Sequence, residues 1–204
     1  MAGTWQWDAI AKAYRSPSGR KLTPHATANL RNRFAAARSE IARMLANDFT
    51  SGVLTKAQFS TAFEVFIGDT MTASFLAGRG GVNAMVDADM KSILDLITDQ
   101  LGFADEFVKE MDGLSAEQIA NQASLYGDAA VKGFEEGHGA SHGADLPGYP
   151  GDWSTPCASG CRCYWEIVTD NKGTTYNWIT ASDDRVCSGC EQRGRDWNPW
   201  TPSE

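Results

Sequence analysis

All five cysteines of the chain fall within its last 48 residues, as Cys157, Cys161 and Cys163, followed by Cys187 and Cys190. Cysteines crowded at C-x3-C-x-C and C-x2-C spacing fold a segment around themselves, through disulfides or through a metal ion. Five is an odd number, and the opening "MAGTWQWDAIAKAYR" lacks the apolar block of a secretory signal, so the expected compartment is a reducing cytoplasm. That favours metal over disulfides. A structural zinc takes four thiolates in a tetrahedron, usually as two close pairs. The first choice of ligands is Cys157, Cys161, Cys187 and Cys190. Cys163 lies on the same strand face as Cys161 and could replace either member of the first pair. A site closed by four sulfurs leaves no position for water, so the expected Zn²⁺ is structural.

The residues between the thiols fit that frame. "CRCYWEIVT" alternates as a strand does, "TDNKG" supplies turn residues, and "TTYNWITA" reads as a second strand. Gly160 and Gly189 are expected to let the backbone turn tightly around the ion. A helix beginning near Asp183 or Asp184 would carry the second pair in its first turn. Knuckle, hairpin and helix together resemble a treble-clef zinc module over residues 153–204. So short a segment does not fold firmly on apolar burial alone. Trp153, Trp165, Trp178, Trp197 and Trp200 are expected to form its small core and its contact with the rest of the chain.

The remainder reads as mainly α: an extended N-terminal arm over 1–25, an antiparallel helical bundle over 26–137 and a Gly/Pro-rich linker over 138–152. Trp5, Trp7 and Tyr14 in the arm need a surface, either the body of the protein or a neighbouring subunit. From Ala26 the period becomes helical, with Leu30, Phe34, Ile41 and Leu45 on one stripe and arginines opposite. Thr55 and Gln58 have the form of a capping box before Phe59, Phe63, Phe66 and Ile67. "AGRGG" at 77–81 is a turn; it lacks the Lys-Ser/Thr of a phosphate loop. A third helix carries Met90, Ile93, Leu94, Ile97 and Leu101, with Phe103, Phe107 and Met111 as a short separate helix beyond Gly102. Ser115 and Gln118 open a last helix, on which Ile119, Ala123, Tyr126, Ala130 and Phe134 share a face. The aromatic stripe is expected to be core, not a cofactor pocket.

His138 and His142 are four apart, a spacing that binds metal on a helix, but the flanking glycines of "GHGASHGADLPGYPGDW" argue for linker residues. A metal-dependent nuclease using His138 or His142 with Asp145 and Asp152 is the enzyme alternative; catalytic metal needs an open coordination position and a general base, for which this segment offers no rigid frame. No apolar run is long enough to span a membrane. The net charge of −8 is unevenly spread. Residues 1–48 hold eight Lys/Arg against three acids, residues 49–152 five against sixteen, and residues 153–204 five against seven. The basic arm reads as a solvated helix face or as a contact with DNA or an acidic protein surface. A DNA-binding zinc protein would carry its basic surface on the module itself, which is slightly acidic here.

The run "LPGYPGDWSTPCASGCRCYWEI", a tryptophan strand, and "CSGCEQRGRDWNPW" resemble, in that order, the C-terminal segment of bacteriophage minor head proteins, also called head morphogenesis proteins. "SAEQIANQASLYGDAAVKGFEEG" is similar to the helix before that segment, and "YRSPSGRKLT" to an arm near the start of some members. The resemblance covers the last 90 residues or so and reaches the first part only in helical character. It implies a virion structural protein without catalytic residues, found in the head and in the host cytoplasm during assembly. Its implied partners are other phage head proteins, capsid or portal, in an oligomeric particle. Trp153 departs from the small residue expected at its position, which touches the linker and not the thiols.

Overall fold

A computed structural model describes residues 6–16 and 18–201. The chain is mainly helical, with two small antiparallel hairpins and a cysteine cluster near the C-terminus. The first hairpin pairs β1 (Gln6–Asp8) with β2 (Ala13–Arg15). Five helices follow: α1 (Pro24–Thr50), α2 (Lys56–Arg79), α3 (Asp87–Glu110), α4 (Ala116–Asp128) and α5 (Ala130–Ser141). The second hairpin, β3 (Tyr164–Asp170) and β4 (Gly173–Ile179), precedes the short α6 (Ser188–Asp196).

Local signals place the helix ends. Thr23 caps α1 by accepting from the Ala26 N–H, with Pro24 in the first turn. Both expected capping boxes form, Thr55 with Gln58 and Ser115 with Gln118. Gly80 ends α2 at φ 102, a left-handed position that suits glycine. The Asp89 carboxylate accepts from the Val86 N–H and from Arg79 Nε at 2.8 Å each, tying the start of α3 to the end of α2.

The N-terminal arm is a hairpin docked on the body. The Tyr14 hydroxyl donates to the Ala77 carbonyl, and the Trp7 ring lies against Gly80, where a Cβ would come within 2.4 Å of it. Trp5 lies outside the described residues.

Phe59, Phe63, Phe66 and Ile67 are buried as expected, and Phe63 meets Phe107 and Tyr126 edge to face. These rings are core. Three expectations about the helices fail. On α1 the buried residues are Ala28, Arg31, Ala35, Ser39, Ala42 and Ala46, while Leu30 and Ile41 are exposed. Phe34 and Leu45 stay half-buried at the edge of the packed face, while Leu30 and Ile41 point outward because α1 packs through small side chains: a Cβ on Gly127 of α4 would sit 2.1 Å from the Ser39 nitrogen. Arg31 is therefore on the inner face and not opposite it. On α3 the helix runs unbroken through Gly102 to Glu110, with Met90, Leu94 and Phe103 exposed. The face that α3 buries instead is formed by Ile93, Leu96, Gln100, Ala104 and Phe107.

The third correction concerns glycine. The segment from His138, expected to be linker, continues α5 to Ser141. Gly137, just before it, is a close helix contact: a Cβ there would lie 2.1 Å from the Phe75 carbonyl oxygen, and one on Gly78 of α2 would lie 1.9 Å from that of Phe134. Glycine here removes a side chain that two crossing helices have no room for. The helix expected from Ser115 is bent at Ala129 into α4 and α5.

Candidate metal centre

Cys157 and Cys161 stand at the two ends of a single 3-10 turn, Ala158–Gly160, and Cys163 lies just before β3. Cys187 caps α6 and Cys190 sits in its first turn. The β3–β4 hairpin turns through Asn171 and Lys172 and brings these distant stretches together. Arg162 braces the approach with two bonds to Asp183, at 2.5 and 2.6 Å.

The five sulfurs converge. Cys190 Sγ is 3.4 Å from Cys157 and 3.6 Å from Cys161, and Cys187 is 3.5 Å from Cys157. Cys157, Cys187 and Cys190 form one close triad, Cys161, Cys163 and Cys190 a second, and Cys190 belongs to both. These separations are far beyond a disulfide bond of ~2.05 Å. A tetrahedral ion bound at ~2.3 Å to each sulfur sets them ~3.8 Å apart, so the cluster fits a metal site. Cys161, Cys163 and Cys190 are buried and Cys157 and Cys187 half-buried.

Protonation of the cluster is shared. The hydrogen bond with Cys163 pulls the Cys161 thiol down to about 2 and pushes Cys163 up to about 12, and Cys161 and Cys163 together push Cys190 up. Neighbouring S–H groups favour the thiolate form at Cys161, and a cation in their midst favours it at every sulfur that binds it.

Around the thiols lies a tryptophan core. Trp165 and Trp178 are buried edge to face at 5.4 Å, and Trp197 stacks on Trp165 at 5.7 Å. The C-terminal stretch lies along β4, where Trp200 N–H donates to the Tyr176 carbonyl and Trp178 N–H to that of Trp197. Trp153 leaves this group; it is exposed and faces Phe103 of α3 at 6.5 Å.

Several local expectations differ. Gly160 and Gly189 are not left-handed; Ala158 takes that conformation, at φ 47, and Gly189 is helical and close to Thr155. The last helix begins at Ser188, later than Asp183 or Asp184, because Cys187 is its cap. Sequence reasoning missed Thr155, whose hydroxyl lies 3.2 Å from Cys157 Sγ, and missed Arg31 and Glu135 altogether. Arg31 donates to Glu135 and to the Cys163 carbonyl, and Glu135 accepts from the Trp165 N–H, so a buried ion pair fixes the main chain at the cluster's edge. The available signal was the alanine row around Arg31, which marks a close-packed face.

His138 and His142 do come together, at 5.2 Å between ring centres. Burial depresses both, His138 to about 4 and His142 to about 3. Among the described residues no carboxylate joins them in a three-ligand group, and Asp152 instead accepts from Tyr149 and Ser154. No helix among the described residues is long and apolar enough to cross a membrane. Comparison of the chain with protein-family models, curated proteins and solved structures finds no match.

Proposed function

We propose that the cysteine cluster holds one structural zinc ion, and that the chain is a virion structural protein of the minor head or head morphogenesis kind. In this reading a helical bundle carries a zinc-stapled module and acts through protein–protein contacts in capsid or portal-region assembly. The observation that carries the zinc reading is the position of Cys190, whose sulfur lies within 3.6 Å of sulfurs on either side of the 3-10 turn. Zinc suits an all-sulfur donor set, and four thiolates close its coordination. The residues would hold the ion through four of Cys157, Cys161, Cys163, Cys187 and Cys190. The ion supplies cross-linking and no reactive water; the chain's own part is to position the sulfurs through the 3-10 turn, the hairpin and the α6 cap.

The head-protein reading is supported by the order and spacing of the cysteine segment and its proline- and glycine-rich lead. Among the described residues Lys12, Arg20, Lys21, Arg33 and Arg38 are in no ion pair, which supports a contact of the N-terminal part with an acidic surface. Elemental analysis with thiol titration tests the first part: one zinc and one free thiol per chain are expected, and a metal-free protein with sulfur–sulfur bonds would refute it. Quantitative protein analysis of purified phage particles tests the second. A fixed, low copy number is expected, and absence from both proheads and mature heads would refute it.

A further inference from the structure

Part of the outer surface of α1 is left uncovered by the fold. Leu30 and Ile41 are each 41% exposed and Met44 is 58% exposed, on the helix face turned away from α4. Phe34 borders this surface, half-buried against Ala130 and Val131, with the Arg38 guanidinium 5.2 Å from its ring centre. By helical spacing Arg33 and Arg38 flank this ridge on its two sides. Among the described residues neither is in an ion pair. An apolar ridge between two free arginines is an unusual thing to leave in water.

The same chain carries a surface of the opposite kind. Between α3 and α4 a cavity of about 420 Å³ opens under Trp153, lined by Phe103 and Leu125 and edged by Glu110 and by Glu106, which pairs with Lys109 at 2.7 Å across an exposed helix surface. Phe103 is 58% exposed and Trp153 49%. Trp153 is held over the groove with φ 63, a backbone region that bulky residues avoid. None of the ridge residues lines this cavity, and α1 is held rigidly against α4, so one copy cannot fill its own groove.

We propose that the α1 ridge of one copy seats in the α3–α4 groove of a second copy, with Arg33 and Arg38 set against Glu106 and Glu110. Apolar matter meets apolar matter, and cations meet carboxylates, which is the complementarity that selects one partner and orients it. Because ridge and groove are different surfaces, the contact is heterologous and propagates head to tail into a ring or a filament. The inference stands without the head-protein reading and without the metal.

The test uses the full chain and two variants in exposed positions, Ile41→Asp combined with Met44→Asp on the ridge, and Phe103→Asp in the groove. Sedimentation velocity over a dilution series is expected to show the wild type as an oligomer that dissociates as salt rises, and each variant alone as a monomer. Mixed, the two variants are expected to form a heterodimer that stops there, because one intact ridge meets one intact groove. Circular dichroism matching the wild type establishes that both variants fold; if either does not, Glu106→Lys with Glu110→Lys, paired against Arg33→Glu with Arg38→Glu, reads the same contact by charge reversal. A wild type that is monomeric throughout the series, an oligomer indifferent to both sets of changes, or a mixture that stays monomeric would overturn the proposal.

Discussion

Arg31 and Glu135, more than a hundred residues apart in sequence, meet with both side chains buried, and between them they grip the main chain on either side of Tyr164. The guanidinium donates to the Cys163 carbonyl at 2.9 Å, and the carboxylate accepts from the Trp165 N–H at 3.1 Å. Asn32 Oδ1 accepts from both Nε and Nη2 of the same guanidinium. A charge pair this dry persists because four of the five guanidinium N–H groups and both carboxylate oxygens have partners.

Breaking the pair leaves one charge buried and alone. Arg31→Ala or Glu135→Ala is expected to cost about 3–5 kcal/mol in urea unfolding. The double change Arg31→Met with Glu135→Leu is expected to recover most of it, since the desolvation penalty then vanishes from both sides. A double variant as weak as the single ones would show that the bonds to Cys163 and Trp165 matter more than the charges.

On the proposed zinc reading, chelation is expected to loosen the tryptophan core while leaving the five long helices in place. Trp165, Trp178 and Trp197 pack on one another beside the cysteines, so chelation should shift tryptophan emission to the red with little change in far-ultraviolet circular dichroism. Among single serine variants, Cys190→Ser is expected to lose the ion most completely, because its sulfur is common to both triads. Equal zinc content in Cys190→Ser and wild type would contradict that assignment.

Two glycines predict opposite outcomes for the same change. Gly137→Ala places a methyl 2.1 Å from the Phe75 carbonyl oxygen, a clash with backbone. Such overpacking is expected to destabilise by at least ~1–3 kcal/mol. Gly102→Ala, inside α3 with nothing within 4 Å of the new methyl, is expected to stabilise by ~0.5–1 kcal/mol through the lost freedom of the unfolded chain. Thermal unfolding of the two variants side by side decides both.

Acid should weaken the fold through the buried histidines. His138 and His142 titrate at about 4 and about 3 in the folded chain, below the ordinary 6.5, chiefly because burial disfavours the imidazolium. Between those values and 6.5 the unfolded chain binds more protons, so stability rises with pH across that window and levels off above it. Urea midpoints are expected to fall on going from pH 7 to pH 4, and to fall less in His142→Gln. A flat profile in the wild type would contradict the burial of both rings.

Where the sequence was read correctly, the signal was local. The capping boxes at Thr55 and Ser115 and the turn at Gly80 depend on residues within one helical turn, and the β3–β4 hairpin on a short alternating run. The aromatic stripe of α2 was legible for a related reason: large rings at helical spacing have few places to go but the core.

Where it was misread, the deciding partner was far away. Gly137 looks like the start of a linker until α2 is seen to cross it, and Leu30 and Ile41 look like core until α4 takes the alanine face of α1. Pattern records which faces of a helix are apolar and not which of them a neighbour covers. For the cysteines the division is the same: spacing alone pointed to two cysteine groups that meet across a hairpin. The meeting of all five at Cys190, and the anchoring of Cys163 by Arg31, came from the tertiary structure, because burying a charged pair and converging sulfurs both require segments that only the folded chain brings into contact.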